Sequence, residues 1–280
     1  MTQTHTRAHT PRLWRTRRHI RANWPSFFAL YGALVAAVLL LGLGLAAGWY
    51  SFIPFALALI MVASYFLVAA LWLAYQLHDA PGGTAMDLLL EYGQPRPDDR
   101  LVCIDLGLRE PAILVAQRLT TGQATVIDVY NPQSNLGGTL RRARARSRKP
   151  PPDPRLNWID GRTGLLPLPD RSVSAVYLPH ILSEFWLLEE RDQLLREAWR
   201  ILVPNGRLLL AERVRARSHL LLAVMITRPL PPPEQWRDLL AKADFIVQRE
   251  EILRGLVYCV RADKPSPTAA RQLALNLEYL

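Results

Sequence analysis

"LVCIDLGLREP", residues 101–111, decides how most of this 280-residue chain is read. An apolar run ends in Asp105, a tight turn begins at Gly107, and Pro111 opens the stretch PAILVAQRL. Proline suits the first turn of a helix, where its missing N–H would have had no partner anyway. Strand, turn and helix follow in the order that makes a ligand loop at the carboxyl end of a strand. The loop departs from the usual pattern at Arg109 and Pro111, where glycine normally allows close backbone approach and positive φ.

The same alternation continues outward. Short apolar runs lie at 101–105, 124–129, 156–159, 173–178, 207–212, 245–250 and 256–261. Amphipathic stretches at 111–119, 139–147, 189–202 and 233–243 separate most of them, and 84–93 reads as a helix ahead of the first. Strands alternating with helices predict an α/β fold with a mostly parallel seven-stranded sheet and helices on both faces. The last two runs follow closely, so one of them is expected to be antiparallel. Ligands on such sheets sit beyond the strand ends. This directs attention to Asp105, Asp128, 159–162 and 178–183.

The N-terminal part is different. No Asp, Glu, Lys or Arg occurs from Ala22 to His78. A span needs ~20 apolar residues, so two are expected, at about 27–47 and 55–75, joined by GWYSFIP (48–54). Aromatic residues mark the expected interfaces, and Gly32, Ala36, Gly44 and Gly48 would let the helices approach. A cleaved signal peptide is the competing reading, but its apolar core is ~7–15 residues. Six arginines and no acid precede the first span. The positive-inside rule then predicts a two-pass protein with the N-terminus and the following domain in the cytoplasm. The expected organisation is a basic tail (1–26), two spans (27–77), a linker and helix (78–99), the α/β domain (100–264) and a C-terminal tail (265–280).

The formal charge is +10 and half the residues are hydrophobic. That combination favours a membrane surface over nucleic acid, for which no aromatic-interleaved basic platform or helix-turn-helix signature is present. Cys103 and Cys259 lie in apolar runs and read as buried thiols. No metal-ligand cluster is expected, since His5, His9 and His19 are scattered. The basic run 141–149 reads either as a solvated helix end or as an anionic-lipid contact. The apolar stretch 219–233 reads as a lid, an interfacial dip or core.

Three stretches carry a family resemblance. LPLPDRSVSAVYLPHILSEF (166–185) is similar to an LPFPD-x-SFD-V pattern, and LLREAWRILVPNGRLLLAE (194–212) to an LREhxRVLKPGG pattern. LLAKADFIVQREE (239–251) is similar to a late Ala-Gly-Phe turn, with Ala243-Asp244 in its place. Together, over about 100–264, they resemble the class I S-adenosylmethionine-dependent methyltransferases, most closely the ubiquinone/menaquinone-biosynthesis group, whose fold is Rossmann-like. The resemblance implies S-adenosyl-L-methionine as cofactor. Asp105, Gly107 and Arg109 then fall on the glycine-loop positions. Asp128 falls on the acid that accepts from the ribose diol, although an Asp there also serves as a helix cap. Asp160 lies near the acid that faces the adenine amino group, in inverted order with Gly161. Leu106 and Leu165 are expected as apolar contacts, and Arg109 as a partner for a carboxylate.

Methyl transfer needs alignment above all, and a base only where the acceptor must lose a proton. His180 is the candidate base, with a capping or packing role as the alternative. Membrane tethering points to a lipophilic acceptor, a lipid or quinone-like small molecule. The competing expectation is a catalytically inactive relative that keeps the fold as a binding or scaffold module, its pocket partly filled by Arg109.

Overall fold

The computed structural model describes residues 13–148, 150–215 and 230–266. They form two units, Met1–Thr84 and Ala85–Leu280.

In the first unit, helix α1 (Trp14–Ala22) lies within the stretch expected to be only a basic tail. Its start is held by the Thr16 amide, which donates to Asp79 Oδ2 at 2.8 Å. His19 Nδ1 and His78 Nε2 meet at 3.1 Å. Helices α2 (Trp24–Ala46) and α3 (Ile53–His78) each carry proline in the first turn. Both are long and apolar enough to cross a membrane; α2 starts three residues before the expected bound and ends one short of it, and α3 extends past its expected bounds at both ends. At their junction the Trp49 amide donates to Gly44 O at 2.8 Å, and Gly48 takes φ +72°. Only small residues are buried in this pair: Ala37 and Gly44 in α2, Ala63 and Ala74 in α3. Of the four small residues expected at a helix contact, Gly44 is buried and Gly32, Ala36 and Gly48 are exposed, and among the described residues none of the three glycines has another group within 4 Å of where a Cβ would lie.

The second unit opens with α4 (Ala85–Gly93), followed by β1 (Arg100–Asp105), α5 (Glu110–Ala116), β2 (Gln123–Asp128), α6 (Gly138–Arg146), β3 (Leu156–Asp160) and β4 (Val173–Pro179). A 3-10 turn (Leu182–Glu184) leads to α7 (Leu188–Ile201), β5 (Leu202–Arg213), α8 (Pro233–Lys242), β6 (Ile246–Leu253) and β7 (Val257–Asp263). The strand order is β3-β2-β1-β4-β5-β7-β6, parallel through β5, with β7 antiparallel to both of its neighbours. Every expected strand is present. Helix α4 packs on β5 and β7, so it belongs with the sheet and not with a linker. Its end is fastened by Arg207, which donates to Gln94 O and pairs with Asp99 at 2.9 Å.

Alternation along the strands divides the core into two faces. Val102, Ile104, Val176, Leu178, Leu208 and Leu210 form one cluster with Leu140 of α6, Leu194, Leu195, Ala198 and Ile201 of α7, and Trp236 and Leu240 of α8. Helices α4 and α5 cover the other face. Cys103 and Cys259 are buried free thiols. Two motifs of the family resemblance clamp one another. Glu197 Oε2 accepts from the Leu166 amide at 2.7 Å, and Arg200 donates to Leu166 O and Leu168 O while pairing with Glu197 and Asp170.

Candidate cofactor and active site

The carboxyl ends of β1 and β2 lie side by side, with Asp105 in register with Asp128. Asp105 is 2% exposed and accepts from the amides of Leu108 (3.1 Å) and Arg109 (2.8 Å). Burial raises its pKa, and these N–H groups draw it back down. Asp105 thus shapes the loop. The turn it holds has Gly107 at φ +80° and Arg109 at φ +67°. Pro111 falls in the first turn of α5, as expected. Arg109 therefore keeps a glycine-like backbone although the residue has changed, whereas Pro111 is helical.

The Arg109 side chain is engaged elsewhere. Its Nη1 donates to Ser147 O at 2.7 Å, a main-chain carbonyl and not the carboxylate expected for it. The same serine's Oγ donates to Leu108 O at 2.9 Å. The end of α6 is thereby tied to the glycine loop from two sides. The guanidinium that does reach the loop is that of Arg144. It pairs with both oxygens of Asp128, at 2.8 Å to Oδ1 and 2.6 Å to Oδ2. It also lies 4.4 Å from the Tyr130 ring centroid, and it fills the space that a Cβ on Gly107 would need.

Beside this pair is a cleft of about 590 Å³. Its walls are the 129–132 turn after β2, the 161–165 loop after β3, and Phe185 and Glu190 before and within α7. A Cβ on Gly161 would strike Ile127, so glycine lets that loop close on β2. Glu190 Oε1 accepts from Ser134, while its Oε2 is enclosed without a partner. Leu165 lines the cleft at 67% exposure, whereas Leu106 is fully buried in the core and is no cofactor contact. Asp160 ends β3 in register with Asp128, but it is exposed and stands outside the cleft lining.

His180 follows β4 at φ +58°, its amide donating to Ala211 O at 2.7 Å. Its Nδ1 is enclosed without a partner. Burial first, and the charge of Arg213 second, push its pKa down to about 3. Held so, the side chain is a weaker base than a free imidazole. Glu212, the closing residue of the LLREAWRILVPNGRLLLAE stretch, is fully buried and accepts from the amides of Leu182 (2.6 Å) and Ser183 (3.3 Å). It fixes the β4 exit loop that delivers Phe185 to the cleft. No role of its own was expected for this residue from the sequence. Stretch 219–233 lies largely outside the described residues, and so does Lys149. No metal-binding cluster occurs among the described residues.

Comparison with known proteins agrees with this arrangement. Residues 111–210 match the family model described as a methyltransferase domain. The chain is 25% identical over 126 residues to the ubiquinone/menaquinone biosynthesis C-methyltransferase UbiE of Ruegeria sp. (strain TM1040), across 45% of this chain and 47% of that protein. It therefore spans about half the length of the curated relative it matches. Among solved structures it is similar to a SAM dependent methyltransferase from Aquifex aeolicus, with 16% identity, coverage of 68% and 92% of the two chains, and a TM-score of 0.49. It is also similar to geranyl diphosphate C-methyltransferase from Streptomyces coelicolor A3(2), with 14% identity, coverage of 64% and 76%, and a TM-score of 0.47.

S-adenosylmethionine, the cofactor of the family, supplies an electrophilic methyl group on a sulfonium. The donor set fits it in chemistry, with the Asp128 carboxylate and the side-chain-free Gly107 turn close to the cleft, and Arg144 is the side chain that occupies both in this structure. Asp128 would hold the donor, Gly107 would admit its backbone-facing part, and Glu212 would position the loop that walls the cleft. Seven strands in the order 3-2-1-4-5-7-6, with the match to the methyltransferase-domain family model running from α5 through most of β5, make the second unit of this chain similar to the class I, S-adenosylmethionine-dependent methyltransferases.

Proposed function

We propose that the chain is a membrane-anchored methyltransferase that moves a methyl group from S-adenosylmethionine to a lipophilic small molecule. The observation that carries this reading is Asp128 at the end of β2, in register with Asp105 of β1 and followed directly by residues 129–132, which wall the cleft. Asp128, Gly107 and the 161–165 loop bind the donor, and Asp105 shapes the turn. Support for a lipophilic acceptor comes from the cleft's surroundings. Leu165 on its wall, and Trp186, Leu187 and Leu188 between Phe185 and Glu190, are all more than half exposed. The hairpin α2–α3 anchors the chain as two spans, with the basic N-terminus and the domain in the cytoplasm. Fusion of a compartment-sensitive reporter to either end tests that topology.

Incubation of the full chain with radiolabelled methyl donor and a membrane lipid extract tests the activity. Label is expected in the organic phase and is lost with Asp128→Ala, which removes a charged acceptor worth ~1.5–3 kcal/mol, about a hundredfold in donor affinity. Label that stays entirely in the aqueous phase contradicts the acceptor class. A second reading, a non-catalytic relative, is favoured by the Arg144–Asp128 pair. Donor binding that stays absent in Arg144→Ala would select it.

A further inference from the structure

We propose that α6 and the exposed apolar residues beside the cleft form a docking surface for an anionic phospholipid bilayer, and that docking draws Arg144 off Asp128 and Gly107 to admit the methyl donor. The inference rests on the donor-binding reading above and adds its regulation.

Four observations carry it. First, no acid occurs between Asp128 and Asp153, while the segment holds Arg141, Arg142, Arg144, Arg146, Arg148 and Lys149. Each such cation gains near an anionic surface. Arg141 and Arg148 are exposed. Second, α6 is weakly held by packing, because Leu140 is its one buried residue. Its C-terminal end stays in place through polar contacts: Arg144 on Asp128, Arg109 on Ser147 O, and Ser147 Oγ on Leu108 O. Polar contacts at partly exposed positions exchange readily for lipid phosphate. Third, exposed apolar side chains adjoin the basic run. Leu136 lies two residues before α6, while Leu165, Trp186, Leu187 and Leu188 flank the cleft. Basic and apolar groups together are the composition of an interfacial membrane surface. Fourth, the chain carries two helices long and apolar enough to span a bilayer, ending just before this unit begins, so lipid would be present at high effective concentration.

The coupling follows from exclusion. A ligand that accepts at Asp128 and fills the Gly107 turn cannot coexist with the Arg144 guanidinium. Apparent donor affinity is then reduced by the fraction of molecules with α6 withdrawn. Lipid that binds the withdrawn form raises that fraction.

The test uses the full chain reconstituted in phosphatidylcholine bilayers, or in phosphatidylcholine mixed with phosphatidylglycerol. Equilibrium dialysis of labelled S-adenosylmethionine and amide hydrogen exchange of residues 138–147 are read together. The wild-type chain is expected to bind the donor ~10-fold more tightly in the anionic bilayer, with faster exchange in 138–147. Arg144→Ala is expected to bind tightly in both bilayers. The Arg141→Ala/Arg148→Ala pair is expected to lose the lipid response and keep the wild-type affinity in phosphatidylcholine. Equal wild-type affinity in both bilayers overturns the proposal, as does an Arg144→Ala chain no tighter than wild type in phosphatidylcholine. Should no chain bind the donor anywhere, the methyl-donor reading falls by itself. Exchange at 138–147 then decides the docking, which is overturned if anionic lipid leaves it unchanged.

Discussion

His180 and Glu212, both at the β4 exit, are moved from their ordinary ranges in opposite directions, each by burial first. His180 is pushed down to about 3, so the folded protein keeps it neutral where an unfolded chain would protonate it near pH ~6.5. Its contribution to stability is present above pH ~6.5 and is lost as pH falls toward about 3. Methyl transfer should accordingly show no limb near pH ~6.5 from this side chain, and His180→Gln should lower kcat by less than about tenfold. A larger loss together with a vanished pH limb would restore a base there. Glu212 is pushed up to about 7 by burial, against the pull of the Leu182 and Ser183 donors. Its folded pKa lies above its unfolded value, so its contribution is full below about pH 4.5 and is lost as pH rises through about 7. Thermal unfolding of wild type and Glu212→Gln across that window should show wild type losing about 3 kcal/mol relative to the variant. Three non-glycine residues at positions where the family pattern has glycine also matter at this scale. Arg109, Asn205 and Asp244 all take φ between 60° and 67°. The left-handed turn is thus kept at each of these positions without glycine. Asp244→Gly should therefore raise stability by about 0.5 kcal/mol, the relieved left-handed strain partly offset by a looser unfolded chain.

The elements of the sheet were legible because the signal is local. Apolar runs and amphipathic periods are read within a short window, and all seven strands lie where they were expected. The two motifs in 166–212 were legible for a further reason. Glu197 and Arg200 bind the 166–170 loop directly, so the pattern records a physical clamp. Helix α6 shows the opposite case. Its arginines read as a solvated face or a lipid contact, because nothing in 138–148 tells that Arg144 reaches Asp128 or that Arg109 reaches Ser147. Those contacts depend on where the chain returns in space. Lys264 is hidden in the same way. Its Nζ donates to Trp199 O and Leu202 O, each at 2.7 Å, and lies over the Trp199 ring, capping α7 from the far end of the sheet. Lys264→Ala should leave those two carbonyls unpaired and cost about 2–3 kcal/mol, measured by denaturant unfolding. A cost under ~0.5 kcal/mol would mean that the cap is idle.

At the scale of the whole molecule, an apolar hairpin and a methyltransferase domain occur in one chain, each with its own internal contacts. The hairpin was legible as an uncharged stretch of unusual length, and the short helix before it was missed because its arginines resemble a disordered basic tail. The strand ends that carry Asp105, Asp128 and Asp160 were legible, whereas the Arg144 contact with Asp128 and the burial of Leu106 in the core were not. Donor binding is the claim on which the rest depends. Calorimetric titration of S-adenosylmethionine into the full chain in anionic bilayers tests it most directly, with Asp128→Ala and Arg144→Ala alongside. A heat of binding is predicted for wild type, about a hundredfold weaker affinity for Asp128→Ala, and equal or tighter binding for Arg144→Ala. No heat from any of the three folded proteins at millimolar donor would contradict it.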